Sequence, residues 1–130
     1  MTINFPAHNC IALYDSDFFF SDDVVYHLKI NSLAEDYAGN FMKAETVRFA
    51  NHSFNYGEIV INEIMSDVNP APNNLPEAEY IELYNKTDFP ADLSQFTLCV
   101  GSKNILFPLG TTLMSGGYLV ITESENEIEI

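Results

Sequence analysis

Apolar and polar side chains alternate with a period of two along several short runs, and this pattern restricts what the chain can fold into. Val24, Tyr26, Leu28 and Ile30 alternate with Val25, His27 and Lys29. Phe96, Leu98 and Val100 alternate with Thr97 and Cys99, and Tyr118, Val120 and Thr122 with Leu119 and Ile121. Successive side chains of a strand point to opposite faces, so each run presents one face to a core. Further strands are predicted over Thr46 to Ala50, Gly57 to Met65, Tyr80 to Tyr84 and Ile105 to Phe107. Ten Phe and seven Tyr suit pleated, half-buried surfaces. Short strands separated by turn residues predict an all-β sandwich or barrel rather than a βαβ fold.

Helix has one opening. Ser32-Leu33-Ala34-Glu35 matches a capping box, and Gly39-Asn40 stops it, so a short turn or loop is the expectation. Asn51 to Gly57 is polar and ends in glycine, and it reads as a linker between two units over residues 51–56. Asp67 to Pro76 carries Pro70, Pro72 and Pro76, which exclude a central strand and predict a long loop. Gly101-Ser102-Lys103-Asn104 reads as a hairpin turn, and Ser115-Gly116-Gly117 as another. The acidic tail from Glu123 is expected to fray.

From Gly57 onward the motifs resemble bacterial lamin-tail domains. Four blocks carry the resemblance: Gly-Glu-Ile-Val-Ile-Asn-Glu-Ile-Met at 57–65, Glu-Ala-Glu-Tyr-Ile-Glu-Leu-Tyr-Asn at 77–85, Asp-Leu-Ser-Gln-Phe-Thr-Leu at 92–98, and Phe-Pro-Leu-Gly with Gly-Gly-Tyr-Leu-Val-Ile at 107–121. The family often has Trp where Phe96 stands. The resemblance implies an immunoglobulin-like β-sandwich over 57–130, used for binding or scaffolding in secreted, multidomain surface proteins, some of which carry hydrolases. Roughly 70 residues follow Gly57, against about 100 in an immunoglobulin-type sandwich, so an incomplete domain with open strand edges is expected. Residues 1–50 more distantly resemble the end of a bacterial immunoglobulin-like repeat, through Val25-Tyr-His-Leu-Lys-Ile30, Glu35-Asp-Tyr-Ala-Gly-Asn40 and Val47-Arg-Phe49.

Catalytic residues are not predicted. The chain has no Gly-x-Ser-x-Gly nucleophile motif and no phosphate-cradling glycine loop. His8, His27 and His52 lack metal-ligand spacing, and His27 is expected to be exposed on its strand. Glu63 and Glu82, on neighbouring predicted strands, are the candidate metal ligands, and calcium is the ion their oxygens would take; otherwise they belong to a polar network, and no cofactor is expected. Asp15, Asp17, Asp22 and Asp23 flank Phe18-Phe19-Phe20 without the calcium-loop pattern, so an aromatic strand between acidic turns is expected. Asn51-His-Ser53 and Asn85-Lys-Thr87 match the glycosylation sequon. Cys10 and Cys99 sit among apolar neighbours and are expected to be buried free thiols.

The candidate binding surface is the proline-bearing loop with its acids: Asp67, Asn69, Glu77 and Glu79. The expected function is a non-catalytic binding or scaffold module of a secreted or surface-anchored protein. An accessory domain of an extracellular hydrolase and a calcium-stiffened adhesion module are the alternatives. The expected partners are a protein or a cell-envelope component, with self-association through open strand edges. No apolar run is long enough to cross a bilayer, and export would require a leader outside these residues.

The formal net charge of −14, from 19 acidic and 5 basic residues, disfavours polyanionic partners. Binding to duplex DNA is therefore expected to be undetectable at physiological salt; a fluorescence anisotropy titration with a labelled duplex checks this.

Overall fold

The computed structural model describes residues 2–7, 10–14, 17–33, 35, 37–66 and 78–122. The elements are β1 (Thr2–Ala7), β2 (Cys10–Tyr14), β3 (Val25–Ile30), β4 (Glu45–Ala50), β5 (Ile59–Met65), β6 (Tyr80–Asn85), β7 (Ala91–Asp92), a 3-10 turn (Leu93–Gln95), β8 (Thr97–Val100), β9 (Lys103–Leu106), β10 (Thr112–Leu113) and β11 (Tyr118–Thr122). All pairings between these strands are antiparallel: β1 with β2, β3 with β4, β7 with β10, β8 with β9, and the three-stranded sheet β11-β6-β5. The runs of alternating residues thus became strands, with boundaries shifted by a residue or two.

Alternation explains the main sheet. Leu119 and Ile121 of β11 stand opposite Leu83 and Ile81 of β6, and all four belong to the core. The other face carries Tyr118 opposite Tyr84, their rings stacked with centroids 4.5 Å apart. β5 continues both rows until Asn62, where an extra residue bulges the strand and the register resumes with Glu63 opposite Glu82. The core beneath this sheet is built from Leu83, Ala91, Leu93, Phe107, Leu113 and Ile121. Asp92 caps the turn holding Leu93: its Oδ1 accepts from Ser94 N at 3.0 Å and Ser94 Oγ at 2.6 Å. The β8–β9 hairpin has Val100 opposite Lys103, so its loop is Gly101-Ser102, tighter than the four-residue turn expected. Gly101 takes φ 58°, the positive value that a II′ turn requires at its first position.

Asn85 ties these pieces together. It is completely buried. Its Nδ2 donates to Phe89 O at 2.7 Å and Leu113 O at 3.1 Å. Its Oδ1 accepts from Thr87 N at 3.0 Å and Thr87 Oγ1 at 2.8 Å. Its backbone N–H donates to Gly117 O at 3.1 Å, and its carbonyl accepts from Gly116 N at 3.0 Å. Gly117 is forced by proximity, since a Cβ there would lie 2.9 Å from Met114 O.

Two expectations change. Phe18-Phe19-Phe20 is not a strand. The rings of Phe18 and Phe20 instead pack edge-on against Tyr26, and Phe20 also against Phe49, so side-chain packing on β3 and β4 replaces a ladder. Cys99 is exposed rather than buried, because alternation along β8 turns Leu98 inward and Cys99 outward, and that outweighs its apolar neighbours. At Ser32 the chain makes a turn, in keeping with the expected short turn or loop: Asn31 Oδ1 accepts from Leu33 N at 3.1 Å. His27 is exposed, as its place on the strand suggested.

Replacing Asn85 by Ala would leave the Phe89 and Leu113 carbonyls and the Thr87 N–H without this partner in a buried setting. The expected loss is more than about 2 kcal/mol, since each unsatisfied buried group costs on the order of 1–3 kcal/mol. Urea denaturation of wild-type and Asn85→Ala chains measures it.

Candidate functional site

The core is covered on one side and open on the other. Ile61 is opposite Leu83 and Ile64 opposite Ile81, so both isoleucines point to the core face of the sheet. Yet Ile61 is 51% exposed and Ile64 61%. A groove of about 790 Å³ lies beside Ile61, lined in part by Phe54, Phe96, Leu98 and Phe107, with Leu83 and Leu93 contributing from the core. Its lining includes the consecutive residues Ile59, Val60 and Ile61 of β5, and likewise Phe96, Thr97 and Leu98 running into β8. Consecutive strand residues point to opposite faces, so both can line one groove only where it runs along the strand's edge. Among the described residues the ladder of β5 is with β6 and that of β8 with β9, and Ile59 also makes an isolated bridge with Tyr56. The groove therefore lies by the edges of β5 and β8, with the segment 54–57 along part of it.

A second cluster joins the β3–β4 hairpin to the main sheet. His52 follows β4, and its side chain is 10% exposed. Nδ1 lies 2.6 Å from Asp23 Oδ1, and Nε2 lies 3.3 Å from Glu58 Oε2. The imidazole stacks on Phe89, with centroids 4.3 Å apart, and meets Phe54 edge-on at 4.7 Å. Asp23 is held by its backbone, with φ at 57° and its N–H donating to Asn51 O at 2.9 Å. Asn51 Nδ2 donates to Asp22 Oδ1 at 2.7 Å. The hydrogen bond to Asp23 raises the His52 pKa above its ordinary 6.5; burial opposes this, and Glu58 adds to the rise. Glu58 is held below its usual range, first by the backbone N–H of Asn55, which donates to Oε2 at 2.6 Å. A neutral imidazole has one N–H, so only the protonated ring can donate to both carboxylates.

The candidate metal ligands Glu63 and Glu82 stand directly opposite each other on β5 and β6. Each has a protein partner: Tyr80 Oη donates to Glu63 Oε1 at 2.6 Å, and Asn62 Nδ2 to Glu82 Oε1 at 2.7 Å. The bond to Glu63 raises the Tyr80 pKa. Among the described residues no group of three or more His, Cys, Asp or Glu side chains could hold a metal ion. Asp67, Asn69 and Glu77 lie outside the described residues. Glu79 is exposed immediately before β6, and its carbonyl accepts from Thr122 Oγ1 at 3.0 Å. The structure thus pairs Glu63 with Glu82. Sequence reasoning missed the His52 cluster, because Asp23 is 29 residues away from it and the linker reading drew attention elsewhere.

An antiparallel sheet over a core, with short strands and hardly any helix, is the architecture of an immunoglobulin-like domain. The lamin tail domain family matches residues 52–128, and the chain belongs to it. The domain of this family is an immunoglobulin-like fold. No curated protein and no solved structure matches the chain. Among the described residues no helix is long and apolar enough to cross a membrane.

The His52 cluster gives stability a sign with pH. Its folded pKa lies above the unfolded value, so its contribution is complete below about pH 6.5 and declines as pH rises through the folded value. The melting temperature is expected to fall across that window, and His52→Gln to remove this part of the decline. Thermal melts of both chains between about pH 6 and pH 9 test it.

Proposed function

We propose that this chain is a non-catalytic binding or scaffold module of a secreted or surface-anchored multidomain protein. One observation supports the reading most: a folded core whose apolar face is left exposed along β5, with Ile61 and Ile64 more than half accessible. Exposed contiguous apolar surface marks sites of association. The immunoglobulin-like fold of the family is compatible with such a role, as a frame that displays edges and loops. The extracellular setting rests on the resemblance of the 57–65 and 77–85 blocks to bacterial lamin-tail domains of surface proteins. The net charge of −14 suits a cationic or neutral partner better than an anionic one.

Fractionation of the source organism, followed by cross-linking and affinity recovery of the tagged protein, tests the reading. The expected outcome is recovery from the envelope or the medium with a reproducible protein or envelope partner. Exclusive recovery from the cytoplasm without a partner would refute it.

A further inference from the structure

We propose that His52 is an acid-closed latch: its doubly protonated imidazole fixes the β3–β4 hairpin against the main sheet, and its neutral form frees the hairpin to swing. The inference is independent of whether the chain serves as a binding module. The ring belongs to the hairpin by position and to the sheet by contact. Val25 stands opposite Ala50, so Asp23 and His52 lie at matching places just beyond the ends of β3 and β4. There Nδ1 meets Asp23 Oδ1 at 2.6 Å. On the sheet side Glu58 stands immediately before β5, with its Oε2 3.3 Å from Nε2. Phe89, in the turn after β6, stacks on the ring, and Phe54 meets it edge-on. The hairpin thus carries a plug that is seated among groups of the sheet.

Proton count decides whether the seat holds. With both nitrogens protonated, each donates to a carboxylate. A neutral ring keeps one hydrogen, and the shorter contact, to Asp23, retains it. Nε2 then turns a lone pair toward the Glu58 carboxylate, and an attraction between hairpin and sheet becomes a repulsion. Glu58 is held in place by the N–H of Asn55, which donates to the same Oε2 at 2.6 Å. The His52 side chain is 10% exposed, so Nε2 regains a partner from water most readily when the ring leaves its seat. The charged groups on the stretches around the ring are Asp22 and Asp23 before β3, Arg48 on β4, Glu58 before β5, and Lys86, Asp88 and Asp92 after β6. Asp22 is engaged by Asn51 Nδ2, and Asp92 by Ser94. The bond to Asp23 holds the His52 pKa above its ordinary 6.5, with burial opposing and Glu58 adding to the rise. The latch is therefore closed below about pH 6.5 and opens as pH rises through the folded value.

Asp23→Asn is the decisive variant. Asp23 has φ 57°, a conformation that Asn adopts readily. The new amide donates to Nδ1 of a neutral ring, whose Nε2–H then donates to Glu58, so the latch stays closed at high pH. Backbone amide residual dipolar couplings are measured on the full chain in an uncharged aligning gel at about pH 6 and about pH 9, with the His52 ring carbon shifts followed in parallel. Couplings from β3 and β4 are fitted separately from those of β5, β6 and β11. In the wild type one alignment tensor is expected to fit both sets at the lower pH. At the higher pH the hairpin's alignment should fall by about a third or more while the sheet's is unchanged, with a midpoint that tracks the ring's titration. Asp23→Asn should keep one tensor at both values, and His52→Gln should give couplings that do not change with pH. Any of four results would overturn the proposal: a single wild-type tensor throughout, a hairpin already independent at the lower pH, loosening of Asp23→Asn equal to that of the wild type, or a pH response that persists in His52→Gln. Loss of the sheet's own couplings at the higher pH would mark global unfolding and overturn it as well.

Discussion

The arrangement depends on one buried amide. Asn85 ends β6, where the chain must leave the sheet, turn through 86–90 and return as β7. A turn beneath a core would strand backbone groups away from water, and each such group needs a partner. Asn85 supplies them from one side chain, using both amide hydrogens and both lone pairs of its carbonyl oxygen. Through Leu113 O it reaches β10, and through its own backbone it reaches Gly116 and Gly117 ahead of β11. Ser115 Oγ adds a bond to Thr87 O at 2.8 Å. The strands on either side of the core are therefore held in register by hydrogen bonds that have no competing water. An apolar residue of similar size would fill the space and leave the turn unsatisfied.

The sequence shows part of this. Strands were legible because the period-two pattern and the positions of glycine are local, and β11 and the Gly101 turn follow from them directly. Asn85 was legible only as the end of a motif block, since its partners Phe89 and Leu113 are defined by folding and not by spacing. The same holds for His52. Its polar, glycine-terminated surroundings suggested a linker, but Asp23 comes from a distant turn and Phe89 from the far side of Asn85. Phe18 to Phe20 misled for the opposite reason: aromatic residues favour strands and also favour one another, and here ring-to-ring packing on Tyr26 and Phe49 won over ladder formation. Of the candidate site residues, the facing of Glu63 and Glu82 depended on the bulge at Asn62, and a one-residue shift of register would have placed them on opposite faces.

The two polar clusters do different work. Asn85 is neutral and buried, so its contribution is insensitive to pH and salt. His52 lies between two carboxylates, one of them largely exposed, and it joins the hairpin before it to the sheet after it. The stacked Phe89 ring covers one face of the imidazole, and Phe89 is also the residue whose carbonyl Asn85 holds. The two clusters therefore share a residue. Through Phe89 the two clusters are coupled, and such coupling acts equally in both directions.

The buried network bears on where a partner can bind. The apolar groove lies next to the rigid network, with Leu83 and Leu93 contributing to its lining, and Leu93 is itself bonded through its N–H to Thr111 O at 2.8 Å. A surface fixed in this way needs little reordering when a partner binds, so less of the contact energy is lost to conformational entropy. The bulge at Asn62 turns β5 and breaks the regular spacing of its outward amides, and Tyr56 bridges Ile59 at the start of the strand. The same bulge works against endless edge-to-edge pairing of copies, as does the negative charge.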